Sequence, residues 1–69
     1  MPRHVRLTPK EQEILFMLCA GETTEKICAA MSISYSALKK HNRSIYGKLG
    51  AKNRVEAERE AARLGIVKR

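Results

Sequence analysis

Four runs of apolar residues recur at helical spacing along the chain. In the first, Ile14, Leu15 and Leu18 share one arc at about 100° per residue, with Met17 on its flank. The residues before it, Leu7-Thr8-Pro9-Lys10-Glu11, set up a helix start. Thr8 offers an N-cap, Pro9 suits the first helical position, and Glu11 stands three residues after the cap. Ala20-Gly21 ends the run, with Gly21 suited to the left-handed position beyond the last turn. A second, shorter helix is expected after Thr23 or Thr24, with Ile27, Ala30 and Met31 lining one side and Cys28 at its edge. It stops at Ser32-Ile33-Ser34, where Ser34 is placed to cap a third helix running roughly from Tyr35 to Leu49. Short helices, a tight turn and a further helix directly after it form the outline of a helix-turn-helix.

The third helix carries the most information. Leu38, Ile45 and Leu49 make a narrow core stripe, and Lys39, Arg43, Ser36, Gly47 and Lys40 fall on the opposite side. That face is cationic with small residues among the charges, as a helix approaching base edges in a major groove requires. A merely solvated helix would more often carry Glu for i,i+4 pairing, and this one has none. Gly50 closes it. Asn53-Arg54-Val55-Glu56 then opens a fourth helix with an N-cap and an acid three residues on. Ala57, Ala61 and Leu64 share its packing side, while Val55 and Ala62 lie opposite, next to Arg59. Gly65 ends that helix, with Ile66 able to fold back on its last turn. No repeat, low-complexity tract or strand-like alternation occurs. The expectation is an all-α domain over residues 7–66, with a basic N-terminal tail (1–6) and a short C-terminal one (67–69).

Composition narrows the function. The 69 residues carry fourteen Lys or Arg and seven Asp or Glu, a net charge of +7. A chain this short supports one small core and no roomy substrate cleft. All the acids are Glu, at positions 11, 13, 22, 25, 56, 58 and 60. From Lys26 to Arg54 there are cations (Lys26, Lys39, Lys40, Arg43, Lys48, Lys52, Arg54) and no acid. A one-signed block of this kind reads as a site for a polyanion, nucleic acid before an anionic membrane. The membrane reading fails on geometry, because the apolar stripe needed for insertion is the one the core uses. No run approaches the ~20 apolar residues of a membrane span, and the basic start lacks the apolar core of a signal peptide. Cys19 and Cys28 sit among Leu, Ala and Ile without a C-x-x-C. Two reduced core thiols, and hence a cytoplasmic compartment, are expected. Together with His4 and His41 they fit no familiar zinc spacing, so neither metal nor cofactor is expected. An enzyme is excluded on the same grounds: no Asp, no nucleophile–base pair, and acids that stay clear of the basic block.

Leu7 to Ile14-Leu15, Gly21, Lys26-Ile27, Ile33-Ser34, Ala37-Leu38-Lys39-Lys40-His41, Ile45, Lys48-Leu49-Gly50, Asn53-Arg54 and Ala57 occur here in an order and spacing that resembles the LuxR/FixJ/GerE-type DNA-binding domain. The resemblance covers Leu7 to about Ile66. A region 4 sigma-factor helix-turn-helix would not continue with this Lys-Leu-Gly and a fourth capped helix. The resemblance implies that the third helix enters the major groove of double-stranded DNA, with Lys39, Lys40 and Arg43 reaching bases or nearby phosphates. Arg43 is the best candidate for guanine, because its planar fork matches O6 and N7. Thr23, Thr24, Lys26, Ser34, Ser36 and Gly47 are candidate backbone contacts. His41, at the edge of the core stripe, takes a structural or phosphate-contact role. The resemblance further implies a homodimer through the fourth helix, around Val55, Arg59 and Ala62, on a roughly two-fold symmetric operator, with RNA polymerase a further candidate partner. The expected function is sequence-specific DNA binding by a bacterial transcription regulator, cytoplasmic and nucleoid-associated. The competing reading is a protein-interaction module of anti-activator type that turns the basic face to an acidic partner. RNA binding is weaker, since only Phe16, Tyr35 and Tyr46 are aromatic.

The chain departs from the family's usual pattern at three places. Glu25-Lys26 replaces the commoner order, depriving Thr23 of an acidic partner three residues on. Ser32 stands where Gly is frequent, predicting modest strain if φ is positive there. Ala51 replaces a common Val, thinning the packing between the third and fourth helices.

Overall fold

The computed structural model describes residues 6–67, so residues 1–5 of the N-terminal tail, His4 among them, and Lys68 and Arg69 lie outside the described residues. Among these residues there are four α-helices and no strand: α1 Pro9–Cys19, α2 Thr24–Met31, α3 Tyr35–Leu49 and α4 Arg54–Arg63.

Each helix begins on a side-chain cap. The Thr8 hydroxyl accepts from the Glu11 amide at 3.1 Å, and the Glu11 carboxylate accepts from the Thr8 amide at 3.0 Å, a complete capping box. Thr23 caps α2 by accepting from the Lys26 amide at 3.2 Å, with no reciprocal acid, as the Glu25-Lys26 order anticipates. Ser34 accepts from the Ala37 amide at 3.1 Å. Asn53 accepts from the Glu56 amide at 2.9 Å, but the Glu56 carboxylate reaches the Lys52 amide, at 2.8 Å, rather than that of its own cap.

The helices also end alike. The residue after the last turn is left-handed at Gly21 (φ 82°), Ser32 (φ 56°), Gly50 (φ 69°) and Gly65 (φ 76°). In each case the following amide turns back onto a carbonyl of the last turn: Glu22 to Met17, Ile33 to Cys28, Ala51 to Tyr46 and Ile66 to Ala61. This double closure is the Schellman motif. It aims Ile33, Ala51 and Ile66 at the core, where each is partly buried. Ser32 does in this turn what glycine does in the others, and takes the strained conformation its position predicts.

α3 packs on all three other helices, whereas α2 and α4 do not pack on each other. The core comprises Ile14, Leu15 and Leu18 of α1, Ile27 of α2, Leu38, Ile45 and Leu49 of α3, and Ala57 and Ala61 of α4. The two alanines let α4 lie close to its neighbours, and Leu64 covers their edge. One expected core position is corrected. Ala30 is exposed, because the strip of α2 that meets α1 and α3 runs through Ile27, Cys28 and Met31 and leaves Ala30 beyond its margin. Cys19 and Cys28 are half-buried and form no disulfide. No helix among the described residues is long and apolar enough to cross a membrane.

Candidate nucleic-acid interface

With Leu38, Ile45 and Leu49 buried, helical periodicity turns the opposite side of α3 outward. Lys39, Lys40, Arg43, Ser36 and Gly47 are all exposed there. Lys39, Lys40 and Arg43 line a shallow groove of about 450 Å³ together with Asn42 and Tyr46. None of the three cations has a carboxylate partner among the described residues. No acid lies in the first turn of α3.

The candidate backbone contacts stand at helix starts. Thr23 and Ser34 are exposed N-caps whose oxygens accept from backbone amides, which leaves each hydroxyl proton available to an incoming acceptor. Thr24 opens α2, Lys26 lies in its first turn, and both are exposed. These positions combine a helix's positive end with donors and a lysine, a combination suited to phosphate. His41 is half-buried, consistent with its place beside the core stripe.

The acid-free stretch from Lys26 to Arg54 is not free of acid in space. Glu11, only 4% exposed, lies against α3. Its carboxylate accepts from the Ser44 hydroxyl and the Lys48 ammonium, both at 2.6 Å, as well as from the Thr8 amide. Burial alone would push this carboxyl up. The bonds from Lys48, Ser44 and Thr8 outweigh that and hold its pKa at about 2. Arg54 is likewise committed. Its guanidinium donates to the Leu18 carbonyl at 2.8 Å and the Glu22 carbonyl at 3.0 Å, and stands 3.4 Å from the Glu58 carboxylate. It thereby ties the start of α4 to the end of α1. The expectation that the acids stay clear of the basic block is therefore corrected. Lys26, Lys39, Lys40, Arg43 and Lys52 are the cations of that block left without an ionic partner among the described residues.

Asn42, Tyr46 and Tyr35 were not singled out by the charge pattern. Tyr46 is half-buried, and burial raises its pKa, with Arg54 and Glu58 acting in opposite directions. The Asn42 Oδ1 atom is buried without a hydrogen-bond partner among the described residues. Tyr35 is exposed, with the Lys39 ammonium 5.6 Å from its ring centroid. The spacing of tyrosines and lysines four apart on one helix was the available signal for that pair.

On α4, Val55 and Arg59 are exposed and Ala62 is half-buried. Val55 is one of only three exposed large apolar residues among those described, with Phe16 and Tyr35. Arg63 and Glu60 pair at 2.5 Å on the same helix, an exposed contact worth little to stability. No cluster of three or more His, Cys or Glu side chains able to hold a metal occurs among the described residues.

Residues 5–61 match the family described as bacterial regulatory proteins, luxR family. YhjB of Escherichia coli (strain K12), whose name describes it as an HTH-type transcriptional regulator, is 43% identical over 51 residues. That match covers 74% of this chain and 26% of YhjB. The HTH-type transcriptional regulator MalT of Yersinia pestis (strain Pestoides F) is 33% identical over 58 residues, 84% of this chain and 6% of MalT. The same match is found with MalT of Yersinia pseudotuberculosis (serotype I, strain IP32953). The chain thus spans about a quarter or less of the relatives it matches.

Proposed function

The chain belongs to the LuxR family of bacterial regulatory proteins, and on that footing we propose that it binds double-stranded DNA sequence-specifically as part of a transcription regulator. α3 is the recognition helix and enters the major groove. The observation that carries this reading is the exposed cationic face of Lys39, Lys40 and Arg43, without a carboxylate partner among the described residues, on the side of α3 turned away from the buried stripe of Leu38, Ile45 and Leu49. A helix anchored by one side on three others presents its outer side rigidly, as base readout demands.

Affinity comes mainly from phosphate neutralisation and sequence preference from the side chains that reach base edges. Arg43 reads guanine through its fork. Lys39 and Lys40 serve bases or adjoining phosphates. Thr23, Thr24, Lys26, Ser34, Ser36 and the open backbone at Gly47 fix the register on the phosphates. On a two-fold symmetric operator, two copies associate through Val55, Arg59 and Ala62 of α4. The chain works in the cytoplasm, on the nucleoid, with no catalytic step of its own, and RNA polymerase is the partner through which a bound regulator would act.

The deciding experiment is selection of bound duplexes from a random pool, followed by stoichiometry on the selected sequence. A defined motif, bound at ~150 mM salt well above scrambled DNA, supports the proposal. Little binding to any duplex at that salt, with retention of an acidic protein partner, would replace it with the interaction-module reading.

A further inference from the structure

We propose that Tyr35 is a positioning residue of this surface, whose ring holds the Lys39 ammonium in place before DNA arrives. The inference rests on the DNA-binding reading above and adds a residue which that reading does not contain.

Tyr35 occupies the first position of α3, where its side chain contributes nothing to the core and is 60% exposed. A large aromatic in water at a helix start costs helix propensity and gains little burial. Its contact is with Lys39, one turn on, whose ammonium lies 5.6 Å from the ring centroid, within the range of a cation–π interaction. On a helix, residues four apart stand one above the other. The pair therefore runs along the same outer arc of α3 as the groove lined by Lys39, Asn42 and Arg43.

Lysine is a compact charge on a long flexible stem, and ordering such a side chain at an interface lowers affinity. Lys40 and Arg43 have neither a ring nor an ion pair to hold them among the described residues, whereas Lys39 has Tyr35. The ring thus removes part of the ordering cost for the first lysine of the recognition face. The requirement is for an aromatic face and not for the hydroxyl, because the attraction comes from the ring quadrupole.

The test uses a duplex selected by the wild-type chain, with a scrambled duplex as control, in a cycle of Tyr35→Leu, Tyr35→Phe, Lys39→Met and the Tyr35→Leu/Lys39→Met double variant. Tyr35→Leu should weaken binding to the selected duplex about two- to tenfold. Tyr35→Phe should bind within about twofold of wild type, and Tyr35→Leu should cost almost nothing once Lys39 is Met. In the free protein, the Lys39 side-chain protons should show a ring-current shift that survives in Tyr35→Phe and vanishes in Tyr35→Leu. The inference is overturned if Tyr35→Leu binds like wild type, if Tyr35→Phe is as weak as Tyr35→Leu, or if the loss persists in full in the Lys39→Met background. An absent ring-current shift in the wild type overturns it without reference to DNA. If the wild type itself prefers no duplex, the DNA-binding reading falls and this inference falls with it. If the wild type selects a duplex and only the variants disagree, the inference alone fails.

Discussion

Glu11 acts on two helices at once. One carboxylate oxygen closes the capping box of α1 and receives the Lys48 ammonium, and the other receives the Ser44 hydroxyl, so that α1 is bonded to the second half of α3. Replacing it with Gln keeps an acceptor for the cap and removes the charge that holds Lys48. Because Lys48 stands at the rim and can return to water, Glu11→Gln should cost about 1–3 kcal/mol rather than the larger penalty of a fully buried orphan. The pH dependence follows from the carboxyl being held at about 2 in the folded chain, below its ordinary value. The depressed folded-state pKa means the contribution is full above about pH 5 and is lost as pH falls through the folded value. Urea unfolding at pH 7, 4 and 2.5 should show the gap between wild type and Glu11→Gln narrowing with acid, and a constant gap would remove the charge from the explanation. Arg43 makes a residue-scale prediction of another kind. Arg43→Ala should relax preference at one base pair per half-site by about 1–3 kcal/mol in competition with single-base variants of the selected duplex. A uniform loss across those variants would make it a phosphate contact.

At the scale of the element, four helices share one ending, and only one of them uses a residue with a Cβ. Ser32 sits at φ 56° where the equivalent turns have Gly21, Gly50 and Gly65, and among the described residues its side chain makes no hydrogen bond that would compensate. Left-handed backbone costs a non-glycine residue about 1–2 kcal/mol, partly offset by the greater freedom glycine has when unfolded. Ser32→Gly should therefore stabilise the domain by about 0.5–1 kcal/mol and raise Tm by about 2–6 °C, measured by thermal unfolding. A lower Tm would mean that the hydroxyl has a role in the turn. The same elements separate what the sequence makes legible from what only the fold creates. Thr8, Thr23, Ser34 and Asn53 are legible as caps because each acts on an amide three residues away, and the glycines are legible because a helix end needs positive φ. The outward face of Lys39, Lys40 and Arg43 follows from periodicity once Leu38, Ile45 and Leu49 are assigned to the core. Through-space chemistry leaves no such local trace. Glu11 meets Ser44 and Lys48, and Arg54 meets the Leu18 and Glu22 carbonyls, across more than thirty residues of sequence. The charge pattern therefore overstates the cations available for a ligand, since Lys48 and Arg54 are already bound within the fold. Ala30 fails for a related reason: an eight-residue helix touching only two neighbours buries a narrower strip than its apolar residues suggest.

For the whole molecule, the basic face and the candidate association face belong to different helices, α3 and α4, which are packed together. Association through α4 would thus fix the distance and angle between two recognition helices, so dimer geometry and half-site spacing would be one property. The α4 surface is small. Val55 is 64% exposed, with Arg59 beside it and Ala62 half-buried. A stable protein dimer buries about 800 Å² on each partner, well beyond what one valine and its neighbours supply. Two copies of this chain should therefore be monomeric in solution and pair only when adjacent half-sites raise their effective concentration. Sedimentation of the free chain at micromolar concentration should give the monomer mass. A duplex with two half-sites should then bind cooperatively where a single half-site does not. Val55→Glu replaces the one large apolar side chain of this face with a charge and should abolish the cooperativity while leaving half-site affinity within about twofold. Equal losses on both duplexes would show that α4 serves the fold or the DNA rather than a second copy, and a dimer without DNA would require a larger interface than this face provides.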